Sequence, residues 1–100
     1  MKSYYVYILE CSDRSYYTGI TSNLDKRLYE HNQGFDRSCY TYSRRPLKLE
    51  FVAEFNDVNN AIEREKQIKG WTRQKKQALI NGDFGQLVKL SNSHGSTSSP

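Results

Sequence analysis

The sequence predicts an α+β fold in which three strands and three amphipathic helices form one small domain. The segment Tyr4–Ile20 holds two aromatic-rich strands around a polar turn, as in a hairpin. The segment Leu47–Phe55 alternates apolar and polar side chains with the period of two that is typical of a strand. One hundred residues suffice for one modest core, so we expect a single domain over residues 1–90 and a weakly hydrophobic, disordered tail over residues 91–100.

The composition favours a polyanionic partner and argues against a membrane or disulfide-rich protein. The net charge is +4 and the pI is about 9.1, and basic surfaces attract nucleic acid. No apolar run approaches the roughly 20 residues needed to cross a bilayer, and the first residues lack the pattern of a signal peptide, so we expect a cytoplasmic protein. Cys11 and Cys39 are too few and too far apart for a disulfide framework or a zinc site.

The first strand is expected at the centre of the sheet. Residues Tyr4–Cys11 carry aromatic and branched side chains on both faces, which predicts that both faces are covered. A polar turn then leads into the returning strand Tyr16–Ile20. Gly19 in this strand indicates that another group comes close to the backbone.

The first helix is predicted to begin at the capping residue Ser22 and to end at Gly34. At about 100° per residue, His31 lies within about 20° of Leu24, which belongs to the apolar stripe. Arg27 lies about 60° away from Leu24. Both polar side chains therefore border the core side of the helix.

The second helix, capped by Asp57 and running to about Lys69, contains an unusually placed acid. Its apolar stripe is centred on Glu65, whereas Glu63 lies on the opposite, solvated face. A carboxylate directed at the core is costly unless it is paired, protonated or bound to a cation. This pattern distinguishes Glu65 as a candidate functional acid.

Basic side chains concentrate in two places. The segment Phe35–Pro46 has no clear period and is predicted to be a basic surface loop. The second cluster follows Glu65 and continues into a third helix, which Thr72 caps and Gly82 ends. The predicted nucleic-acid-binding residues are Arg44, Arg45, Lys66, Lys69, Arg73, Lys75 and Lys76.

The unusually placed polar side chains match the requirements of phosphodiester hydrolysis. This chemistry needs a nucleophile, stabilisation of charge on the phosphate and often a divalent metal ion. Tyr7 and Tyr17 can activate or orient water, and Arg27 can bind a phosphate with two parallel hydrogen bonds. His31 can transfer a proton, and Glu65 can bind a hard cation that keeps several waters.

Each of these side chains also has a purely structural explanation. Strand tyrosines and a histidine on a helix face commonly pack in a core. Arg27 can form an ion pair with Asp25 or Glu30, and Glu65 can pair with a buried arginine. Hydrolysis is favoured because the five placements would otherwise have to arise independently.

Over residues 3–85 the chain resembles the GIY-YIG nuclease domain. The two signatures are Tyr5–Tyr7, which has Tyr in place of the leading Gly, and Tyr17–Gly19, which has Thr in place of Ile. Residues Asn23–Asn32 are similar to the arginine-bearing helix of the family, and residues Glu63–Lys69 to its acidic helix. The resemblance implies a three-stranded antiparallel sheet flanked by helices, in agreement with the elements above.

The family resemblance also implies roles for single residues in metal-dependent hydrolysis of nucleic acid. Tyr7 would be the general base or would position water, and Tyr17 would orient the nucleophile. Arg27 would stabilise the pentavalent phosphate, and His31 matches a histidine of some restriction-enzyme members. Glu65 would bind one Mg²⁺ or Mn²⁺ ion.

The chain looks most like small, single-domain bacterial members of the family whose function is unassigned. Family members often have a further asparagine, for which Asn81 is the nearest candidate, although its motif does not match. We expect a monomer that binds nucleic acid, with DNA favoured over RNA, largely through phosphates. The leading hypothesis is a metal-dependent endonuclease. The alternatives are a non-catalytic nucleic-acid-binding or adaptor module on the same fold and, more remotely, a protein-interaction domain.

Overall fold

The computed structural model describes the backbone of residues 2–97 and the side chains of residues 2–91. The chain divides into two compact units, the first ending at Lys69 and the second beginning at Gly70. The first unit contains β1 (Tyr4–Glu10), β2 (Tyr16–Thr21), α1 (Leu24–Gln33), β3 (Lys48–Phe55) and α2 (Val58–Lys69). The second contains α3 (Arg73–Asn81) and α4 (Phe84–Thr97).

The predicted α+β class is confirmed, and the single domain over residues 1–90 stays a prediction. In the described backbone α4 extends to Thr97, and the disorder expected over residues 91–100 also stays a prediction. The remainder of the predicted tail, residues 98–100, lies outside the described residues.

The three strands form one antiparallel sheet in the order β2-β1-β3, so β1 is the central strand as predicted. Four consecutive residues of β1 are buried, which agrees with a strand covered on both faces: Val6, Tyr7, Ile8 and Leu9. In the register of the hairpin, Tyr7 lies opposite Gly19 and Leu9 lies opposite Tyr17. Since side chains alternate along a strand, Tyr7 and Tyr17 lie on the same face of the sheet.

The alternation predicted for the third strand is interrupted. Ile8 pairs with Phe51 but Leu9 pairs with Leu49, so Glu50 is an extra residue in β3 at a β-bulge. Because Ile8 and Leu9 point to opposite faces of the sheet, the bulge places Leu49 on the face opposite to Phe51. Leu49 is 41% exposed, although the predicted alternation would place it on the same face of the strand as Phe51.

The helix boundaries follow capping chemistry. In α1 the N-cap is Asn23 and not the predicted Ser22, because the Asn23 side-chain oxygen accepts a hydrogen bond from the Lys26 amide at 3.1 Å. Gly34 ends this helix with a φ of 70°, a left-handed conformation that glycine adopts without strain. The predicted caps of the third helix, Thr72 and Gly82, are confirmed in α3.

The helix α2 contacts all three strands and turns its buried face towards the sheet. Asp57 accepts a hydrogen bond from the Asn59 amide at 2.7 Å, as expected of the predicted cap. The buried residues of α2 are Ala61, Glu65 and Ile68, so the acid does lie in the buried stripe. Among the described residues, no helix is long and apolar enough to span a membrane.

Candidate active site

The centre of the site is Tyr7, whose side chain lies over Gly19 of the neighbouring strand. A Cβ atom at position 19 would lie 2.5 Å from the Tyr7 ring and hydroxyl and 3.0 Å from the Tyr17 ring. These distances are shorter than carbon atoms tolerate. Glycine is therefore required here for space, which accounts for the close approach predicted from the sequence.

The helix α1 places His31 against both tyrosines. The Tyr7 hydroxyl and His31 Nε2 are 2.9 Å apart, and both side chains are buried. The centre of the His31 ring is 5.9 Å from that of Tyr7 and 5.2 Å from that of Tyr17, with edge-to-face geometry in each case. The two strand tyrosines and the helix histidine thus form one aromatic cluster.

The loop after α1 supplies a partner for the other ring nitrogen. Thr41 Oγ1 lies 2.9 Å from His31 Nδ1, and Thr41 is only 1% exposed. The sequence did not distinguish Thr41 from the other polar residues of this loop, because an irregular segment has no period that separates buried from exposed positions. Both nitrogens of His31 therefore have defined hydrogen-bond partners.

Burial keeps Tyr7 and His31 neutral at physiological pH. Burial, reinforced by the nearby Tyr17, raises the pKa of Tyr7 to about 12. Burial, reinforced by the Arg27 guanidinium, lowers the pKa of His31 to about 4. The pair is thus a phenol hydrogen-bonded to an uncharged imidazole.

Arg27 brings a positive charge to the hydroxyl groups of Tyr7 and Tyr17. Burial lowers the pKa of Arg27, but hydrogen bonding and electrostatic interaction with the two phenols raise it and prevail. Its guanidinium also forms an ion pair with Glu30 at 3.4 Å, and its side chain remains 30% exposed. A phosphate can therefore reach this arginine from solvent.

Cys39 lies beside the site and is a free, partly exposed thiol. Burial raises the pKa of the Cys39 thiol, but hydrogen bonds from Thr41 and Tyr17 lower it and prevail. The other free cysteine, Cys11, is buried, and burial raises its pKa. The sequence argued only that neither cysteine belongs to a disulfide framework or a zinc site, and the position of Cys39 next to Thr41 could not be foreseen without the loop conformation.

Glu65 is 8% exposed and its charge is balanced by the next turn of its own helix. Its Oε2 lies 2.8 Å from Lys69 Nζ, so the partner is a lysine and not the arginine considered from the sequence. This hydrogen bond raises the pKa of Lys69, which also interacts electrostatically with Tyr17. Lys69 is thus paired with the acid of α2 and lies within electrostatic range of the tyrosine cluster.

The donor atoms on α2 are compatible with a weakly held divalent ion. Mg²⁺ commonly uses one or two carboxylates and completes its coordination with water and substrate phosphates, and Glu65 offers one such carboxylate. Within residues 2–91, no group of three or more histidine, cysteine, aspartate or glutamate side chains could hold a metal ion. A closed, structural type of metal site is therefore not found in this part of the chain.

The predicted nucleic-acid-binding residues have different surroundings. Arg44 lies 3.8 Å above the Tyr40 ring and pairs with Asp13 at 3.1 Å, while Arg45 lies 4.8 Å above the Tyr42 ring. In the first unit Lys66 is exposed and Lys69 pairs with the buried acid. In the second unit Arg73 is exposed, Lys75 lies 4.6 Å above the Trp71 ring, and burial lowers the pKa of Lys76.

Fold and site together define a class of protein: a small α+β domain in which two tyrosines of a hairpin meet an arginine and a histidine one helical turn apart. The sequence model of the family described as the GIY-YIG catalytic domain matches residues 3–78 of this chain. The chain therefore belongs to this family. The resemblance inferred from the two signatures is thereby confirmed.

The relatives are small proteins of similar length. A UPF0213 protein from Syntrophus aciditrophicus (strain SB) is 49% identical over 80 residues, which cover 80% of this chain and 92% of the relative. A UPF0213 protein from Haloquadratum walsbyi is 46% identical over 76 residues, which cover 76% of this chain and 84% of the relative.

Two solved structures share the fold. The solution NMR structure of a UPF0213 protein from Bacillus halodurans is 33% identical, with a TM-score of 0.54, and the match covers 97% of this chain and 99% of that chain. The solution NMR structure of a protein from E. faecalis is 36% identical, with a TM-score of 0.58, and the match covers 84% of this chain and 90% of that chain.

Proposed function

We propose that the protein is a metal-dependent nuclease that hydrolyses phosphodiester bonds of nucleic acid. The observation that carries the proposal is the buried, neutral Tyr7–His31 pair beside the partly exposed Arg27 guanidinium. A core that only packed these residues would have no need for a cation at the phenol hydroxyl. Membership of the GIY-YIG family supports the same activity.

In the proposed reaction, Tyr7 takes a proton from the attacking water as its own hydroxyl proton moves to His31 Nε2. The water O–H bond breaks as the oxygen forms its bond to phosphorus, and the bond to the leaving oxygen breaks as that oxygen departs. The imidazolium then returns its proton through the phenol to solvent or to the leaving oxygen. Tyr17, which contacts the His31 ring, would orient the water.

Arg27 stabilises the charge that develops on the phosphate, since a guanidinium pairs well with two phosphate oxygens. In the protein without substrate, His31 has a pKa of about 4 and is therefore a weak base. An anionic phosphate bound at Arg27 offsets the guanidinium charge and favours protonated His31, which makes proton transfer easier once substrate is bound. A divalent ion held by Glu65 would supply additional stabilisation of negative charge on the phosphate.

The proposal is tested with purified protein and a panel of duplex, branched and single-stranded DNA and RNA, in Mg²⁺, in Mn²⁺ and in a chelator. We expect cleavage that needs the metal ion. Glu65→Gln is expected to lower the rate by about 100-fold or more, which is the scale of loss when a charge-stabilising group is removed. The matched control is Glu63→Gln, because Glu63 lies exposed on the same helix.

Equal activity in the two glutamate variants would contradict the role given to Glu65. Cleavage that survived Arg27→Lys unchanged would contradict the site as a whole, because lysine cannot form the paired hydrogen bonds of a guanidinium. The variants Glu65→Gln, Glu63→Gln and Arg27→Lys are first checked for a cooperative unfolding transition, so that a loss of activity is not mistaken for a loss of the fold.

One observation favours the second candidate, a non-catalytic nucleic-acid-binding module. The carboxylate of Glu65 already has a cation, Lys69, at 2.8 Å, and an acid that serves only structure would be arranged in this way. This candidate predicts binding that weakens steeply with salt across the same substrates, with no cleavage. Lys66 is exposed and would contribute to this salt dependence. In a plot of the logarithm of the binding constant against the logarithm of the salt concentration, Lys66→Gln would reduce the slope by about 1, the change expected when one phosphate contact is lost.

A further inference from the structure

The buried hydrogen bonds at His31 continue beyond Tyr7 into the loop that follows α1. His31 Nδ1 lies 2.9 Å from Thr41 Oγ1, and Thr41 Oγ1 lies 3.4 Å from Cys39 Sγ. The histidine and the threonine are 4% and 1% exposed. Water therefore has little access to replace either partner of the imidazole.

The direction of the hydrogen bonds follows from the sulfur. The Thr41 hydroxyl donates its only hydrogen to Cys39 Sγ, so towards His31 its oxygen presents lone pairs. An acceptor at this position requires a hydrogen on Nδ1. Because a neutral imidazole carries one N–H, Nε2 is then left with a free lone pair facing the Tyr7 hydroxyl.

We propose that Thr41 is a positioning residue that holds His31 in the Nδ1–H tautomer, so that Nε2 accepts the hydroxyl proton of Tyr7. The series of donors then runs in one direction, from Tyr7 through His31 and Thr41 to Cys39. Arg27 also interacts with the Tyr7 oxygen, and because a guanidinium only donates, it leaves the phenol hydrogen to the histidine.

The tautomer matters because the two forms have opposite effects on Tyr7. In the Nδ1–H form, Nε2 accepts a hydrogen bond from the phenol and can take up its proton. In the Nε2–H form, the imidazole would donate a hydrogen bond to the phenol oxygen and could not receive a proton from it. The catalytic consequence rests on the proposed nuclease function. The tautomer itself is a property of the free protein and can be measured without substrate.

The direct test is the pattern of long-range ¹H–¹⁵N correlations of the His31 ring at neutral pH. The signals are assigned by their loss in His31→Gln, since the sequence contains one further histidine, His94. We expect a protonated Nδ1 and an unprotonated Nε2 in the unaltered protein. The opposite pattern, or a mixture of both forms, would overturn the proposal regardless of how any variant folds.

Two substitutions at position 41 separate the hydroxyl from the shape of the side chain. Thr41→Val keeps the shape and removes the oxygen, and it is expected to shift the ring towards the Nε2–H form. Thr41→Ser restores the oxygen and is expected to restore the Nδ1–H form. If the valine variant kept the original tautomer in a folded protein, Thr41 would not be the residue that sets it.

If the protein cleaves nucleic acid, Thr41→Val is expected to lower kcat by about 10- to 100-fold with KM little changed, and Thr41→Ser is expected to rescue it. Equal kcat in the valine variant and the unaltered protein would show that the tautomer does not limit the reaction. Absence of cleavage together with the Nδ1–H pattern would refute the nuclease function and leave the positioning role of Thr41 intact. The two failures can therefore be distinguished.

Discussion

At the scale of single residues, the site depends on glycine at position 19, which has no side chain. The Tyr7 ring occupies the space that a Cβ atom at position 19 would need. We predict that Gly19→Ala displaces this ring and lowers the free energy of unfolding by about 1–3 kcal/mol, the usual cost of overpacking. Urea unfolding checks the prediction.

The matched control is Gly85→Ala, because the nearest atom to a Cβ at that position is an Asp83 carboxylate oxygen at 3.8 Å. Alanine at position 85 lies in α4 and is expected to be neutral or to stabilise the helix. A loss of stability at position 19 no larger than at position 85 would mean that Tyr7 can move aside without cost.

The low pKa of His31 predicts a specific dependence of stability on pH. The pKa is about 4 in the folded protein and about 6.5 when unfolded, so between these values the unfolded chain binds more protons. Stability conferred by the neutral histidine is fully present above pH 6.5 and is lost as pH falls towards 4. The loss from this residue reaches as much as about 3 kcal/mol.

The measurement is urea unfolding at a series of pH values between 4 and 7, together with an NMR titration of the His31 ring. His31→Gln should flatten the pH dependence in this window because glutamine does not titrate. A His31 ring that titrates near 6.5 in the folded protein would contradict the prediction.

At the scale of elements, α1 carries Arg27 and His31 of the candidate site, so a loss of structure in its first turn would displace them. Asn23 accepts the hydrogen bond from the Lys26 amide, and Arg27 lies one turn further on. We predict that Asn23→Ala lowers the free energy of unfolding by about 1 kcal/mol, as removal of an N-cap does. The sequence pointed instead to Ser22, which makes Ser22→Ala the natural control.

Urea unfolding of the two variants decides between the caps. A larger loss of stability in the serine variant than in the asparagine variant would show that the helix begins one residue earlier. This measurement needs neither substrate nor metal ion.

The elements also show what the sequence could and could not predict. The central strand, the two caps of α3 and the burial of Glu65 follow from periodicity and capping, which act locally along the chain. The exposure of Leu49 follows from a bulge that is defined only when two strands pair. The burial of Thr41 depends in the same way on where a loop of irregular backbone comes to rest.

The residues of the site were predictable to different degrees. Tyr7, Tyr17, Arg27 and His31 lie together, as the hydrolysis hypothesis required of them. The partner of Glu65 was not anticipated, because a lysine at i+4 looks the same in sequence whether it points to solvent or to the acid. The roles of these residues in catalysis stay predictions.

At the scale of the whole molecule, the ion pair between Glu65 and Lys69 means that the stability of the fold does not depend on a bound metal ion. A buried carboxylate with no counter-charge would destabilise the fold, but here the compensating cation is part of the chain. We predict that a chelator such as EDTA leaves the unfolding midpoint of the protein unchanged. A thermal unfolding experiment with and without EDTA measures this.

The comparison variant is Lys69→Gln, which leaves Glu65 with no charged partner on its own helix. This variant should be less stable, and added Mg²⁺ should stabilise it more than it stabilises the unaltered protein, because a ligand that binds only the folded state raises its stability. Equal effects of Mg²⁺ on the two proteins would show that the ion does not bind at Glu65.

The same ion pair implies an order of folding and ion binding. Since Lys69 already balances the charge of the Glu65 carboxylate, the fold does not need a divalent ion to neutralise this acid. Under the proposed function, a divalent ion that binds Glu65 would have to displace the ammonium group of Lys69. The lysine would then compete with the ion for the acid until a phosphate and its metal ion bind together.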